Sequence, residues 1–155
     1  MSLHEEVELL RRIPLFARIE PSKLKLLAFT SERLAYKAGD VLFRQGDPGD
    51  SAYIIVEGEA EILVNTADGP LRVAVVRKND FVGEIAILCD VPRTATVAAI
   101  TGLTTLRISK ELFFRLTAEF PQMAVEIMRV LGQRLERTTA DLREATARLR
   151  QAGIS

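Results

Sequence analysis

The chain has 155 residues, 48% of them hydrophobic, which suits one domain with a core of its own. Lys+Arg and Asp+Glu both number 21, so the formal net charge is zero and no chain-wide attraction to nucleic acid or an anionic membrane is written into it. Cys89 is the only cysteine and His4 the only histidine, which removes internal disulfides, paired-cysteine zinc sites, His-rich metal centres and Ser-His chemistry from consideration.

The N-terminus, Met1-Ser2-Leu3-His4-Glu5-Glu6, is acidic where a signal peptide is basic, and no stretch holds the roughly 18 apolar residues of a membrane span. A cytoplasmic protein without membrane contact is expected. Leu3, Val7 and Leu10 recur at helical spacing up to Arg12, and Pro14 stops that helix. Pro21 opens a second helix, with Leu24, Leu27 and Ala28 on one face, ending before Ser31.

Between Leu34 and Ile108 short β-rich runs alternate with Gly, Asp, Pro and Asn clusters, the pattern of a sandwich or jelly roll. Strands are predicted at Val41 to Phe43, Ala52 to Val56, Ala60 to Val64, Leu71 to Val76, Thr94 to Ile100 and Leu103 to Ile108. Ser109 is placed to cap a helix burying Leu112, Phe113 and Leu116. Phe120-Pro121 separates it from a long helix running to about Gln151. Along that helix Met128, Leu131, Leu135, Thr138, Leu142, Ala145 and Leu149 alternate at spacings of three and four, a heptad seam. A helix roughly 45 Å long exceeds what one small roll covers, so a homodimer joined through it is expected. Packing of the stripe on its own subunit is the plainer alternative.

The chemistry concentrates in Phe81-Val82-Gly83-Glu84-Ile85-Ala86-Ile87-Leu88, followed by Pro92-Arg93-Thr94-Ala95-Thr96-Val97. Gly83 lets backbone approach a ligand, and the next residues can form a short helical turn with its N–H groups facing an anion. Arg93 supplies a planar, permanently charged fork suited to phosphate oxygens. Glu84 is an acceptor able to hold a sugar hydroxyl. An acid and a base together suit a ligand with one anionic end and one hydroxyl end; singly, each residue is equally at home in a turn or a structural salt bridge.

Together these two motifs resemble the phosphate-binding cassette of the cyclic nucleotide-binding domain family. The resemblance extends over Ile13-Pro14-Leu15-Phe16, over Gly39 to Asp50 and over Tyr53 to Gly58, and is similar to the bacterial branch containing the catabolite activators. It implies a mainly β fold: an eight-stranded antiparallel β-roll with N-terminal helices, a short phosphate-binding helix and a long C-terminal helix. One domain over 1–155 is expected, with helices in 1–30, the roll over 31–108 and the C-terminal helices over 109–152.

The resemblance further implies a ligand, cyclic AMP or cyclic GMP, with cyclic AMP favoured, and no metal. Arg93 would bind the cyclic phosphate and Glu84 the ribose 2′-hydroxyl. Gly83 with the Ile85 and Ala86 amides would line the phosphate turn, and Thr94 would present its hydroxyl near phosphate or base. Thr138 and Thr139 would meet the adenine amino group from the long helix. Catabolite activators continue into a helix-turn-helix domain, whereas this sequence stops at Ser155 with no room for a recognition helix. The expectation is therefore a non-enzymatic sensor module without direct DNA binding. Its alternatives are a structural dimerisation jelly roll with a degenerate pocket, or a regulatory fragment of a longer transcription factor, kinase or channel. A cupin-like enzyme would need metal ligands inside the roll, where His4 does not lie.

Overall fold

Ser2 starts the first helix, its Oγ accepting the Glu5 N–H at 3.2 Å while Glu5 and Glu6 face the positive end of the helix dipole. The structure, a computed structural model, describes residues 2–153, so Met1, Ile154 and Ser155 of the expected 1–155 domain lie outside the described residues. Helix α1 (Leu3–Arg11) buries Val7 and Leu10. A 3-10 turn at Pro14–Phe16 buries Phe16, and α2 (Pro21–Thr30) has its proline at the tolerated first position and buries Leu24 and Leu27. Both helices lie where the apolar spacing predicts them.

Eight strands follow among the described residues: β1 (Glu32–Tyr36), β2 (Val41–Phe43), β3 (Ser51–Glu57), β4 (Ala60–Thr66), β5 (Gly69–Val76), β6 (Phe81–Val82), β7 (Thr96–Ala99) and β8 (Leu103–Ser109). They form two four-stranded sheets, β1-β8-β3-β6 and β2-β7-β4-β5, with every pairing antiparallel. This is the eight-stranded roll expected, with two strands added and one shortened. β1 reads Glu-Arg-Leu-Ala-Tyr, too polar and too little β-branched to stand out, and β6 has two residues. The run expected from Thr94 pairs only from Thr96, because the Arg93 backbone is engaged elsewhere: its N–H donates to the Asp47 carbonyl and its carbonyl accepts from Gly46, both at 2.8 Å.

The roll interior is filled by Tyr53, Ile55, Ala60, Val76, Val82, Val97, Ala99 and Leu103, with Phe43 packed against them. Successive side chains of a strand point to opposite faces, so Ile54 and Val56 of β3 face away from this core, yet both are buried. β3 therefore lacks the polar alternation of a half-exposed strand. Helix α3 (Glu84–Cys89) interrupts the roll between β6 and β7. Ser109 caps α4 (Lys110–Glu119), as predicted, through a bond from the Leu112 N–H to its Oγ at 3.2 Å.

Two compact units are present, 1–116 and 117–155. The second is dominated by α5 (Pro121–Gln151), capped by Phe120 with Pro121 at its first position. α5 buries Met123 and Ile127. Beyond them Met128, Leu135, Leu142 and Leu149, one residue per heptad, are 50–68% exposed.

Candidate functional site

Gly83 shapes the turn between β6 and α3. Its φ of 87° is left-handed backbone, open to glycine at little cost. A Cβ there would lie 2.6 Å from Arg93 Nη1 and 3.1 Å from the Ser51 carbonyl oxygen. Glycine is thus required twice, by conformation and by the guanidinium that fills the space. α3 follows at once, and its first-turn N–H groups lack acceptors within the helix. It rests directly on the turn before β3, since a Cβ on Gly49 would overlap Ala86 Cβ.

Arg93 is 3% exposed. Nη1 donates to the Gly83 carbonyl at 2.9 Å and Nη2 to Ser51 Oγ at 3.3 Å. The Phe43 ring lies under the guanidinium, 4.1 Å from its carbon, and Tyr53 stands at 6.0 Å. Nε has no hydrogen-bond partner among the described residues. The nearest carboxylate is Asp50, 3.8 Å from Nη2, with a side chain 71% exposed. A buried cation with an idle Nε, whose facing carboxylates Asp50 and Asp47 both sit at the exposed side, is only partly compensated, and its guanidinium can take an anion as a further partner.

The surrounding field has a consistent layout. Burial pulls the Arg93 guanidinium below the ordinary arginine value, Tyr53 and Asp50 oppose that shift, and Arg107 adds to it. Arginine starts so basic that it stays charged at any physiological pH. Burial acts the same way on Arg107, but the neighbouring Tyr53 hydroxyl and the Asp50 and Glu32 carboxylates outweigh it and raise its pKa. Asp50 joins the two arginines: Oδ2 accepts from Arg107 Nη2 at 3.2 Å, and Oδ1 accepts from the Ser51 hydroxyl at 3.0 Å.

The first unit brings five of the expected site residues together. Gly83, Glu84, Ile85 and Ala86 form the turn and the start of α3, Glu84 being 2% exposed, and Arg93 closes on Gly83. Thr94 follows Arg93 and is exposed. Thr138 and Thr139 lie on α5 in the second unit, where the Thr138 hydroxyl donates to the Arg134 carbonyl of its own helix at 2.9 Å. Sequence reasoning missed Phe43, Asp50, Ser51 and Tyr53, which hold the guanidinium. A partial signal was present, since a buried arginine needs an acceptor, and Asp50-Ser51 are the polar residues entering β3.

Gly83→Ala is expected to cost roughly 1–3 kcal/mol from backbone strain alone and to push Arg93 off its partners. Thermal denaturation should show the lower Tm; an unchanged Tm would mean that the turn adopts another conformation. Among the described residues no cluster of His, Cys, Asp or Glu is placed to hold a metal ion, and no helix is long and apolar enough to cross a membrane.

A family model described as the cyclic nucleotide-binding domain matches residues 33–120. The cAMP-dependent protein kinase regulatory subunit of Dictyostelium discoideum is 36% identical over 137 residues, covering 86% of this chain and 40% of that protein. The CRP-like cAMP-activated global transcriptional regulator of Mycobacterium tuberculosis is 29% identical over 136 residues, covering 87% and 61%. The chain thus spans less than two thirds of the length of each of these relatives. Among solved structures, a cAMP-binding acyltransferase from Mycobacterium smegmatis superposes with a TM-score of 0.76 at 30% identity, over 87% of this chain and 42% of that one.

Proposed function

The chain belongs to the cyclic nucleotide-binding domain family, and on that premise we propose that it is a regulatory module that takes cyclic AMP into the roll and performs no catalytic step. The observation that carries this reading is the buried, only partly compensated Arg93 guanidinium beside the glycine turn of α3. In this reading Arg93 pairs with the cyclic phosphate, the Ile85 and Ala86 amides and the Gly83 backbone line the phosphate, and Glu84 accepts from the ribose 2′-hydroxyl. Thr94 presents its exposed hydroxyl toward phosphate or base, while an adenine-contacting role for Thr138 and Thr139 rests on the family resemblance alone. An arginine, a carboxylate and main-chain amides suit holding a phosphodiester, since hydrolysing it calls for an activated nucleophile or a metal.

The signal passes to α5, whose position or order differs between the free and bound states by as much as the ligand prefers one of them. The module is a cytoplasmic homodimer joined through α5, with no membrane contact and no DNA contact of its own. Regulation by cyclic AMP is supported by the names of the Dictyostelium and M. tuberculosis relatives. The acyltransferase shares such a roll over 42% of its own chain; the present reading assigns no catalytic step to the residues of this one.

Calorimetric titration with both cyclic nucleotides tests the proposal. Cyclic AMP should bind one per chain and at least about tenfold more tightly than cyclic GMP, a difference of about 1.4 kcal/mol. Equal or reversed affinities would overturn the choice of base, and absence of binding by both would overturn the function.

A further inference from the structure

The roll carries a concavity whose lining includes neither Arg93 nor any of the residues that hold its guanidinium. Beneath the N-terminal helices, on the face of the β1-β8-β3-β6 sheet turned away from the roll interior, lies a cavity of about 200 Å³. Leu9, Leu10 and Ile13 wall it from α1 and the residues after it, Ala28 from α2, and Val56 and Leu106 from the sheet. Apolar cavities of about 150 Å³ stay dry and accept a molecule the size of benzene, so this one has room for a short alkyl chain.

Its polar lining is lopsided. Arg12, Arg33 and Lys78 stand against the single carboxylate of Glu6. Neither Arg12 nor Lys78 pairs with a carboxylate among the described residues. Lys78 is also not on a loose loop: its neighbour Asn79 holds left-handed backbone at φ 75°, the Asn79 N–H donates to the Ile55 carbonyl, and the Ile55 N–H donates to the Asp80 carbonyl, both at 2.8 Å. The cation is therefore carried at the cavity by a turn tied to the core of the sheet.

We propose that this cavity is a binding site for a small amphipathic monocarboxylate, its alkyl chain among the apolar side chains and its carboxylate facing Arg12, Arg33 and Lys78. A neutral apolar molecule would gain nothing from Arg12 and Lys78 at the exposed rim, and a compact anion such as phosphate would leave the apolar walls empty. The site is independent of the nucleotide reading. Its occupant would touch Lys78 and Asn79, which lead through Asp80 directly into β6 and the Gly83 turn.

Calorimetry with sodium octanoate, sodium butyrate and octanol on the full chain tests this. Octanoate should bind one per chain, and each methylene removed toward butyrate should weaken binding by up to about fourfold. Lys78→Glu, an exposed change, should weaken octanoate by up to about fivefold while leaving octanol unaffected. Ala28→Phe fills the cavity and should abolish binding of both. Cyclic AMP titration of the same samples reports separately on the roll, so a failure here is distinct from a failure of the nucleotide site. Absence of octanoate binding at millimolar concentration, or binding indifferent to Lys78→Glu, would overturn the proposal.

Discussion

Arg93→Ala is expected to weaken cyclic AMP binding at least about 100-fold, because each charge-assisted hydrogen bond contributes roughly 1.5–3 kcal/mol and the guanidinium can supply two. The fold should persist. The variant's Tm should fall, because the truncation leaves a void and takes a donor from the Gly83 carbonyl and from Ser51 Oγ, but the roll core around Ile55, Val82 and Val97 is untouched. Arg93→Lys should recover only part of the affinity, since an ammonium keeps the charge and loses the planar fork, and it cannot reproduce the flat packing on Phe43. Glu84→Gln should lose less than Arg93→Ala, because an amide oxygen still accepts from a ribose hydroxyl. Circular dichroism and calorimetry on the same samples check this. An Arg93→Ala protein that is folded and binds like the wild type would place the ligand elsewhere.

Leu135→Asp combined with Leu142→Asp should convert a dimer into monomers. Met128, Leu135, Leu142 and Leu149 recur every seven residues along one face and are at least half exposed, the spacing of one seam position of a coiled coil. Burying one leucine side chain contributes roughly 1.5–3 kcal/mol. With four leucines lost per dimer and like charges set across the seam, the dissociation constant should rise by at least about 10⁴-fold. Sedimentation velocity over micromolar concentrations reads the outcome. A wild type that is already monomeric there would assign the stripe to some other partner and remove the homodimer from the proposed function.

Much of the architecture was legible because it depends on local signals. Pro21, Ser109 and Pro121 each sit at a helix start that their backbone or side-chain chemistry favours, and the helices begin where those residues predict. The turn clusters at Gly39, Gly46, Gly58 and Gly69 all carry positive φ, which is why the strands between them could be counted. β1 and β6 were not individually legible. One lacks the apolar alternation of a strand and the other is two residues long, and both exist because β8 and β3, distant in sequence, offer them hydrogen-bonding edges.

The candidate site divides along the same line. Gly83, Glu84 and Arg93 could be singled out from the chain alone because the two motifs that hold them together resemble the phosphate-binding cassette of the family, although singly each suits a turn or a structural salt bridge. What the pattern leaves open is the state of the arginine. Burial of its charge, the Phe43 ring beneath it, the Ser51 hydroxyl and the bridge through Asp50 to Arg107 come from residues up to 50 positions away along the chain, brought together by the two sheets. The sequence by itself determined the kinds of groups in the site and the local conformations that present them, since capping, turn chemistry and periodicity act over a few residues. Only the tertiary structure decided which of those groups are desolvated and what faces them, because burial and electrostatic compensation are properties of neighbours in space.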